Sequence, residues 1–266
     1  MGKERYRLQA DSLLVMTRVI ARLDIKSNDL IKGIRFEGLR KIGDPKTAAA
    51  LYFENGIDEI LLVDTVASLY GRNHLGPLLE KVAEELFVPL TVAGGIRTVD
   101  DARKMFRLGA DKVAVNTASF GQPGLLSEIA RTFGSQSVVG SIQAVRRGSD
   151  WECLVEQGRE RTGVALRDRI RTLLDSGVGE ILVTSVDNDG VRAGFDLELA
   201  ETAVSLSSAP VVIGGGCGEI SHATKAAEIA GLSGIALGSA LHFGHVSISA
   251  LKEQIQPFGQ PSKAAN

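Results

Sequence analysis

The 266-residue sequence predicts a (β/α)8 barrel assembled from two similar halves, and three observations carry that expectation. First, the chain repeats itself: GIDEILLVDT (Gly56–Thr65) returns 121 residues later as GVGEILVTSV (Gly177–Val186). VPLTVAGGI (Val88–Ile96) returns as APVVIGGGC (Ala209–Cys217), and LGADKVAVNTAS (Leu108–Ser119) returns loosely as AGLSGIALGSAL (Ala230–Leu241). A period this long exceeds that of solenoid units and marks two half-folds. Second, each half carries short β-branched or leucine-rich runs, too continuously apolar for a sheet with one wet face. Such runs are strands of a parallel sheet covered by helices. Third, amphipathic segments such as Pro45–Asn55, Leu75–Leu86 and Val99–Leu108 alternate with these runs. An open doubly wound sheet is the alternative. Two four-strand halves close most simply into one TIM-barrel domain at this length.

Eight strands are expected near Val19–Asp24, Glu59–Asp64, Leu90–Val92, Lys112–Val115, Ser137–Ala144, Glu180–Ser185, Val211–Ile213 and Gly234–Leu237. Residues 1–17 precede the first of them and read as an N-terminal extension, within which Met16 is a possible natural start. The barrel domain is expected to span 18–254, and 255–266 to form a loose tail.

The first strand places Asp24 near its C-terminal end, where barrels collect their chemistry; a cap of a helix or turn is the plainer role for that side chain. The following Ile31–Asp44, basic and glycine-bearing, has the length of a mobile loop over a site. In the second strand Glu59 and Asp64 are five residues apart, roughly 16 Å along an extended chain, about the height of a barrel. One carboxylate therefore marks the lower rim and the other the upper. The sixth strand repeats this, with Glu180 at its start and Thr184, Ser185, Asp187 and Asp189 at or beyond its end. Arg18 and Lys112 begin strands one and four. Two acids and two bases are thus expected at the bottom mouth, where a salt-bridged floor needs no function.

Glycine turns supply the second functional signal. Gly94–Gly95, Asn116–Thr117, Gly215–Gly216 and Gly238–Ser239 each follow a strand. Such turns present backbone N–H groups, and a helix N-terminus adds its positive dipole, so they bind phosphate. A lone pair of glycines is usually only a tight turn. Two sets related by the internal repeat point to a substrate with two phosphates.

Other polar candidates are weaker. His74, His222, His242 and His245 show no ligand spacing, and Cys153 and Cys217 form neither a disulfide framework nor a metal set. No metal or cofactor is expected. Cys217 lies in a glycine turn that needs a small side chain, and Arg146–Thr162, carrying Trp151, reads as a hairpin after strand five. With 30 basic and 32 acidic residues the net charge is −2, which makes no electrostatic case for nucleic acid or a membrane surface. No apolar run has the length of a bilayer span and the start lacks a signal-peptide cleavage pattern, so a cytoplasmic location is expected.

From about Arg18 to Gln254 the sequence resembles the cyclase subunit family of imidazole glycerol phosphate synthase (HisF-type). RVIARLDIK, KGIRFEGLRKIGDP, GIDEILLVD, GADKVAVNT, FGSQSVV, GEILVTSVDNDG and the final Gly-Ser pair carry the likeness in order. The resemblance implies a lyase-cyclase of histidine biosynthesis. Such an enzyme joins ammonia to a phosphoribulosyl formimino intermediate and cleaves it into imidazole glycerol phosphate and an aminoimidazole carboxamide ribotide. Ammonia comes from a glutaminase (HisH-type) partner docked at the barrel bottom and travels along the barrel axis. The family's charged ammonia gate falls on Arg18, Glu59, Lys112 and Glu180, and its contact with the glutaminase on Asp111. Its phosphate turns fall on Gly94, Gly95, Asn116, Thr117, Gly190, Gly215, Gly216, Gly238 and Ser239. Its first catalytic aspartate falls on Asp24, its supporting polar positions on Asp64, Thr184 and Asp189, and its loop lysine on Lys32.

The departure is Gln143, in Ile142-Gln143-Ala144, where the family's second catalytic aspartate belongs. It lies 119 residues after Asp24 and is its counterpart in the other half. Glutamine keeps the shape and hydrogen bonds but cannot carry a proton away, and loss of one acid–base group costs about 10²–10⁴ in rate. Arg22, where the family has a small residue, and Arg35 in the loop add positive charge. Two readings follow: a working cyclase with impaired acid–base machinery, or a paralog that delivers ammonia to another acceptor, such as an amidino sugar of surface polysaccharide. The stretch Ala67–Asn73 resembles members of the second kind. A phosphosugar-binding barrel without chemistry ranks below both, because its bottom ring would be idle.

Overall fold

A computed structural model of the chain describes residues 17–67 and 75–255. All but Thr17 of the expected extension, all but Ile255 of the expected tail, most of Ala67–Asn73, and His74 lie outside the described residues. Eight parallel strands form the barrel: β1 (Arg18–Lys26), β4 (Glu59–Asp64), β5 (Leu90–Ala93), β6 (Lys112–Val115), β7 (Val138–Arg147), β10 (Glu180–Ser185), β11 (Val211–Gly214) and β12 (Leu232–Leu237). They pair in that order, β12 pairs with β1, and β7 pairs with β10 from Glu180↔Val139 to Ser185↔Ala144. That pairing closes the sheet, which excludes the open alternative.

Two antiparallel hairpins rise from the top rim, one per half. β2 (Asp29–Ile34) and β3 (Glu37–Gly43) grow out of β1 through Asp24↔Ile31. β8 (Asp150–Val155) and β9 (Glu160–Ala165) grow out of β7 through Gln143↔Leu154. The second was expected. The first replaces the mobile loop expected at Ile31–Asp44: its backbone groups are taken up by β1, and Arg35 and Phe36 make the turn with positive φ.

Helices α1 (Pro45–Glu54), α2 (Gly76–Glu85) and α3 (Val99–Arg107) begin the outer layer. Their starts are written locally. Asp44 caps α1 by accepting from the Thr47 N–H at 2.7 Å with Pro45 following, and Thr98 and Asp101 form a reciprocal capping box on α3. Among the described residues no helix is long and apolar enough to cross a membrane.

The alternation of side chains along a strand decides what fills the barrel. In β1, Val19, Ala21 and Leu23 face the helices and join the large outer core, while Ile20 faces inward. The inner cluster is Ile20, Leu61, Val63, Ala93, Ala114, Val139, Leu182, Val212 and Ala236. Arg18, Arg22 and Asp24 share the parity of Ile20; Glu59 shares that of Leu61, and Glu180 and Thr184 that of Leu182. The axis thus reads upward as a charged floor, an apolar middle and a polar top. Strand parity, not loop placement, connects the two ends. Asp24 pairs with Val63, four residues above Glu59, about 13 Å higher along the strand.

Candidate functional site

The floor is a closed ring of ion pairs. Arg18 bridges Glu59 and Glu180, and Lys112 Nζ lies 2.9 Å from Glu59 Oε2 and 2.7 Å from Glu180 Oε2. Both carboxylates are buried, and Thr91 Oγ1 donates to the remaining oxygen of Glu59 at 2.6 Å. The four strand-start charges therefore meet as expected. Asp111 stands beside them, exposed, with Oδ2 accepting from the Leu90 N–H at 2.8 Å.

Directly above the ring lies a cavity of about 10 Å³, walled by Ile20, Leu61, Thr91, Val139, Leu182, Val212 and Ala236 and touching Glu59 and Glu180. That is room for one water-sized molecule. Leu61 and Leu182 also line the next cavity up, of about 270 Å³, which opens at the top rim. The apolar middle thus holds two spaces, one over the floor and one open to the mouth, with Leu61 and Leu182 common to both walls.

The larger cavity holds the first glycine cradle. Gly94, Gly95, Asn116 and Thr117 line it, with Arg97, Ser141, Gln143, Gln157 and Thr184. Gly94 has φ of +93°, and a Cβ there would lie 2.3 Å from the Asp64 carbonyl oxygen, so only glycine lets this turn sit against β4. Its counterpart Gly215, φ +89°, would meet the Ser185 carbonyl at 2.7 Å. Gly215, Gly216, Gly238, Ser239 and Gly190 gather around a much smaller cavity of about 10 Å³. The two sets of turns are thus separate, and both open on the face bearing Asp24 and Asp189. Asp64 is buried at the end of β4, Oδ1 accepting from the Val66 N–H at 3.1 Å.

Between the cradles lies a buried charge network. Arg22 Nε donates to Asp24 Oδ1 at 2.8 Å, and Lys32 Nζ reaches Asp24 Oδ2 at 2.9 Å and the Asp189 carboxylate at 3.2 and 3.3 Å. Arg22 also approaches Thr184 Oγ1 at 3.4 Å and lies over the Phe36 ring at 5.3 Å. Burial alone would raise the pKa of Asp24, but the charges and hydrogen bonds of Arg22 and Lys32 outweigh it and hold the carboxyl well below the usual range. The Asp24 and Asp189 carboxylates in turn raise Arg22 and Lys32 against their own burial, so both cations stay charged. Of the residues lining the two cradle cavities, Arg22 alone is common to both.

Gln143 faces Asp24's side of the mouth from the opposite half. Its Oε1 accepts from Asn116 Nδ2 at 3.3 Å, and the same amide donates to the Leu154 carbonyl at 3.0 Å. Arg35, expected to add charge at the site, instead turns outward, Nε donating to the Asp187 carbonyl at 3.0 Å. Gln157, at the tip of the β8–β9 hairpin, lines the first cavity with its Oε1 buried and unpaired. No motif marked it, and only its hairpin position brings it in. Cys217 is buried in the second glycine turn, its thiol pushed up to about 12 by burial, which suits a packing role. Among the described residues no three His, Cys, Asp or Glu side chains converge as metal ligands.

A two-fold barrel with paired glycine turns at one end and a closed ion-pair ring at the other defines the class as a (β/α)8 barrel protein. The family follows from comparison with known sequences. The chain matches the model of the family described as "Histidine biosynthesis protein" over residues 18–247 and belongs to that family. It is 52% identical over 204 residues to imidazole glycerol phosphate synthase subunit HisF of Legionella pneumophila, covering 76% of this chain and 96% of the relative. The subunits of the same name from Mycobacteroides abscessus and Thermococcus gammatolerans are 43% and 41% identical, over 90% and 93% of this chain and 95% and 98% of theirs.

Proposed function

We propose that the chain is the cyclase-lyase subunit of imidazole glycerol phosphate synthase, acting on a two-phosphate phosphoribulosyl formimino intermediate with ammonia fed along the barrel axis. The observation that carries this is the pair of spaces stacked between the Arg18–Glu59–Lys112–Glu180 ring and the cradled mouth, with Leu61 and Leu182 in the walls of both. An apolar, water-sized passage suits neutral ammonia and is costly for ammonium. A glutaminase subunit docks under the ring near Asp111 and releases ammonia there. The family match and the relatives' shared name favour this acceptor over an amidino sugar.

In this reading the two cradles hold the terminal phosphates, and Asp24 and Gln143 flank the reacting centre. Proton transfer is efficient when the group's pKa lies near the working pH. Asp24, held ionised by Arg22 and Lys32, is a weak base and no acid. Gln143 orients substrate by hydrogen bonds and carries no proton. We infer that turnover is correspondingly low. The test is turnover of the phosphoribulosyl intermediate with ammonium salt, which needs no partner. Slow, Asp24-dependent formation of imidazole glycerol phosphate is expected, and no product at any ammonium concentration overturns the reading. Docking is tested separately: Asp111→Lys should weaken the glutaminase complex, and a wild-type barrel that never associates, even with ligand bound, refutes it.

A further inference from the structure

The two cradles differ in what stands behind them. Behind the first is Arg169, on the helix Leu166–Asp175, only 3% exposed and without a carboxylate partner among the described residues. Its Nη2 donates to Ser119 Oγ, its guanidinium lies 4.0 Å from the centre of the Phe120 ring, and its Nε is buried with no partner. Burial lowers its pKa to about 10, which still leaves it charged at neutral pH. Cys153, the titratable group whose charge would bear on it, is a neutral thiol pushed up to about 12. A buried cation with no counter-charge is unfavourable unless something supplies one.

The hydrogen bonds lead from this cation to the cradle. Ser119 Oγ, which accepts from Arg169, donates to the Asn116 carbonyl at 2.7 Å, and the Ser119 N–H donates to the same oxygen at 3.1 Å. In a trans peptide the N–H points opposite to the C=O. With the Asn116 carbonyl drawn back toward Ser119, the Thr117 N–H is turned the other way, from a turn that lines the 270 Å³ cavity. The charge and the oriented peptide act in the same direction, favouring an anion in that cavity.

The corresponding place behind the second cradle is neutral. His242, 122 residues after Phe120, is paired with Tyr52 OH through Nδ1 at 2.7 Å. Burial pushes this imidazole down to about 4 and the phenol up to about 12, so neither is charged near neutrality. Lys32, beside Gly238, is already neutralised by Asp24 and Asp189.

We propose that Arg169 is a positioning residue for phosphate, making the Gly94–Gly95/Asn116–Thr117 cradle the tighter of two unequal phosphate subsites. The proposal rests on the reading of both turns as phosphate cradles and adds their order of occupation. The experiment titrates the full chain with inorganic phosphate, following the backbone amides of Gly95 and Thr117 against those of Gly216 and Ser239 by NMR. A partly screened unit charge changes the affinity of a nearby anion on the order of tenfold. The first pair should therefore saturate at roughly tenfold lower phosphate than the second. Arg169→Met, which keeps the apolar contact with Phe120, should erase the difference by weakening the first pair alone, and Arg169→Lys should restore most of it. Equal or reversed saturation in the wild type overturns the proposal while leaving the two cradles standing, and needs no variant to fold. Phosphate affinity unchanged in a folded Arg169→Met protein overturns it as well. Silence of all four amides refutes the cradle reading itself.

Discussion

Replacing Gln143 by aspartate tests the chemistry most directly. Gln143 is buried within β7, near the upper end of its pairing with β10, and its side chain accepts from Asn116 Nδ2 at 3.3 Å. Aspartate is smaller by one methylene and Asn116 Nδ2 keeps its bond to the Leu154 carbonyl, so Gln143→Asp should fold. The new group would lie across the mouth from Arg22, whose guanidinium already serves Asp24. Burial would raise the new carboxyl's pKa and leave it able to donate a proton as well as accept one. Restoring one acid–base group is worth about 10²–10⁴ in rate, roughly 3–5 kcal/mol of barrier. The assay is turnover of the phosphoribulosyl intermediate with saturating ammonium salt, wild type against variant, with thermal unfolding in parallel to show that the fold is unchanged. The gain should appear in kcat, because the second cradle is untouched and the new carboxylate, in contact with Asn116 of the first, does not favour phosphate there. A wild type that turns over at the ordinary enzyme rate of about 10 s⁻¹, unimproved by Gln143→Asp, would refute the argument.

Three further outcomes are expected. The carboxyl of Asp24 is held below its usual range, so the stability it contributes is present above its unfolded pKa, near 4, and is lost only as pH falls further toward the folded value. Asp24→Asn should therefore cost about 3 kcal/mol, by urea unfolding, equally at pH 5 and pH 8; a gap that closes between those values sinks the ion-pair account. Gly94→Ala should destabilise by about 2 kcal/mol and weaken phosphate at the first cradle, because φ is +93° and the added Cβ would lie 2.3 Å from the Asp64 carbonyl; full stability and affinity would contradict this. Cys153 and Cys217 are buried with thiols pushed up to about 12, so alkylation by iodoacetamide at pH 8 should be slow until urea unfolds the chain; rapid labelling of the folded protein would disprove it.

The parts of this molecule written in sequence-local terms were readable from the sequence. The ring was legible because charged residues at four strand starts break the apolar pattern a barrel interior prefers. The paired glycine turns were legible because Gly94 and Gly215 recur at the repeat offset. What was not legible depends on distant pairing. Lys32 read as a loop lysine, yet the hairpin folds back and buries it between Asp24 and Asp189, 157 residues from the latter. Arg22 read as added positive charge, but its strand parity points it inward onto Asp24, two residues along. Arg169 offers no signal at all: a helical arginine normally reaches solvent, and only the packing of Phe120 and Ser119 shows that this one does not.

The internal two-fold explains why these departures belong together. At the offset that makes Gln143 the counterpart of Asp24, Arg22 corresponds to Ser141, so one half presents Arg22 and Asp24 where the other presents Ser141 and Gln143. Arg22, Asp24 and Lys32 all lie on one half, and Asp189 completes the network from the other. The consequence is spatial as well as electrostatic. The network leaves about 10 Å³ beside the second cradle, whereas the uncharged half leaves about 270 Å³ beside the first. A phosphate can enter the first cradle without breaking an ion pair. On the proposed reading, substrate seating the second must compete with Asp24 and Asp189 for Lys32 and Arg22, and that competition would loosen the hold that keeps Asp24 a poor base. Binding at the far cradle and activation of Asp24 are then the same event, so a ligand anchored at one phosphate alone should bind without reacting.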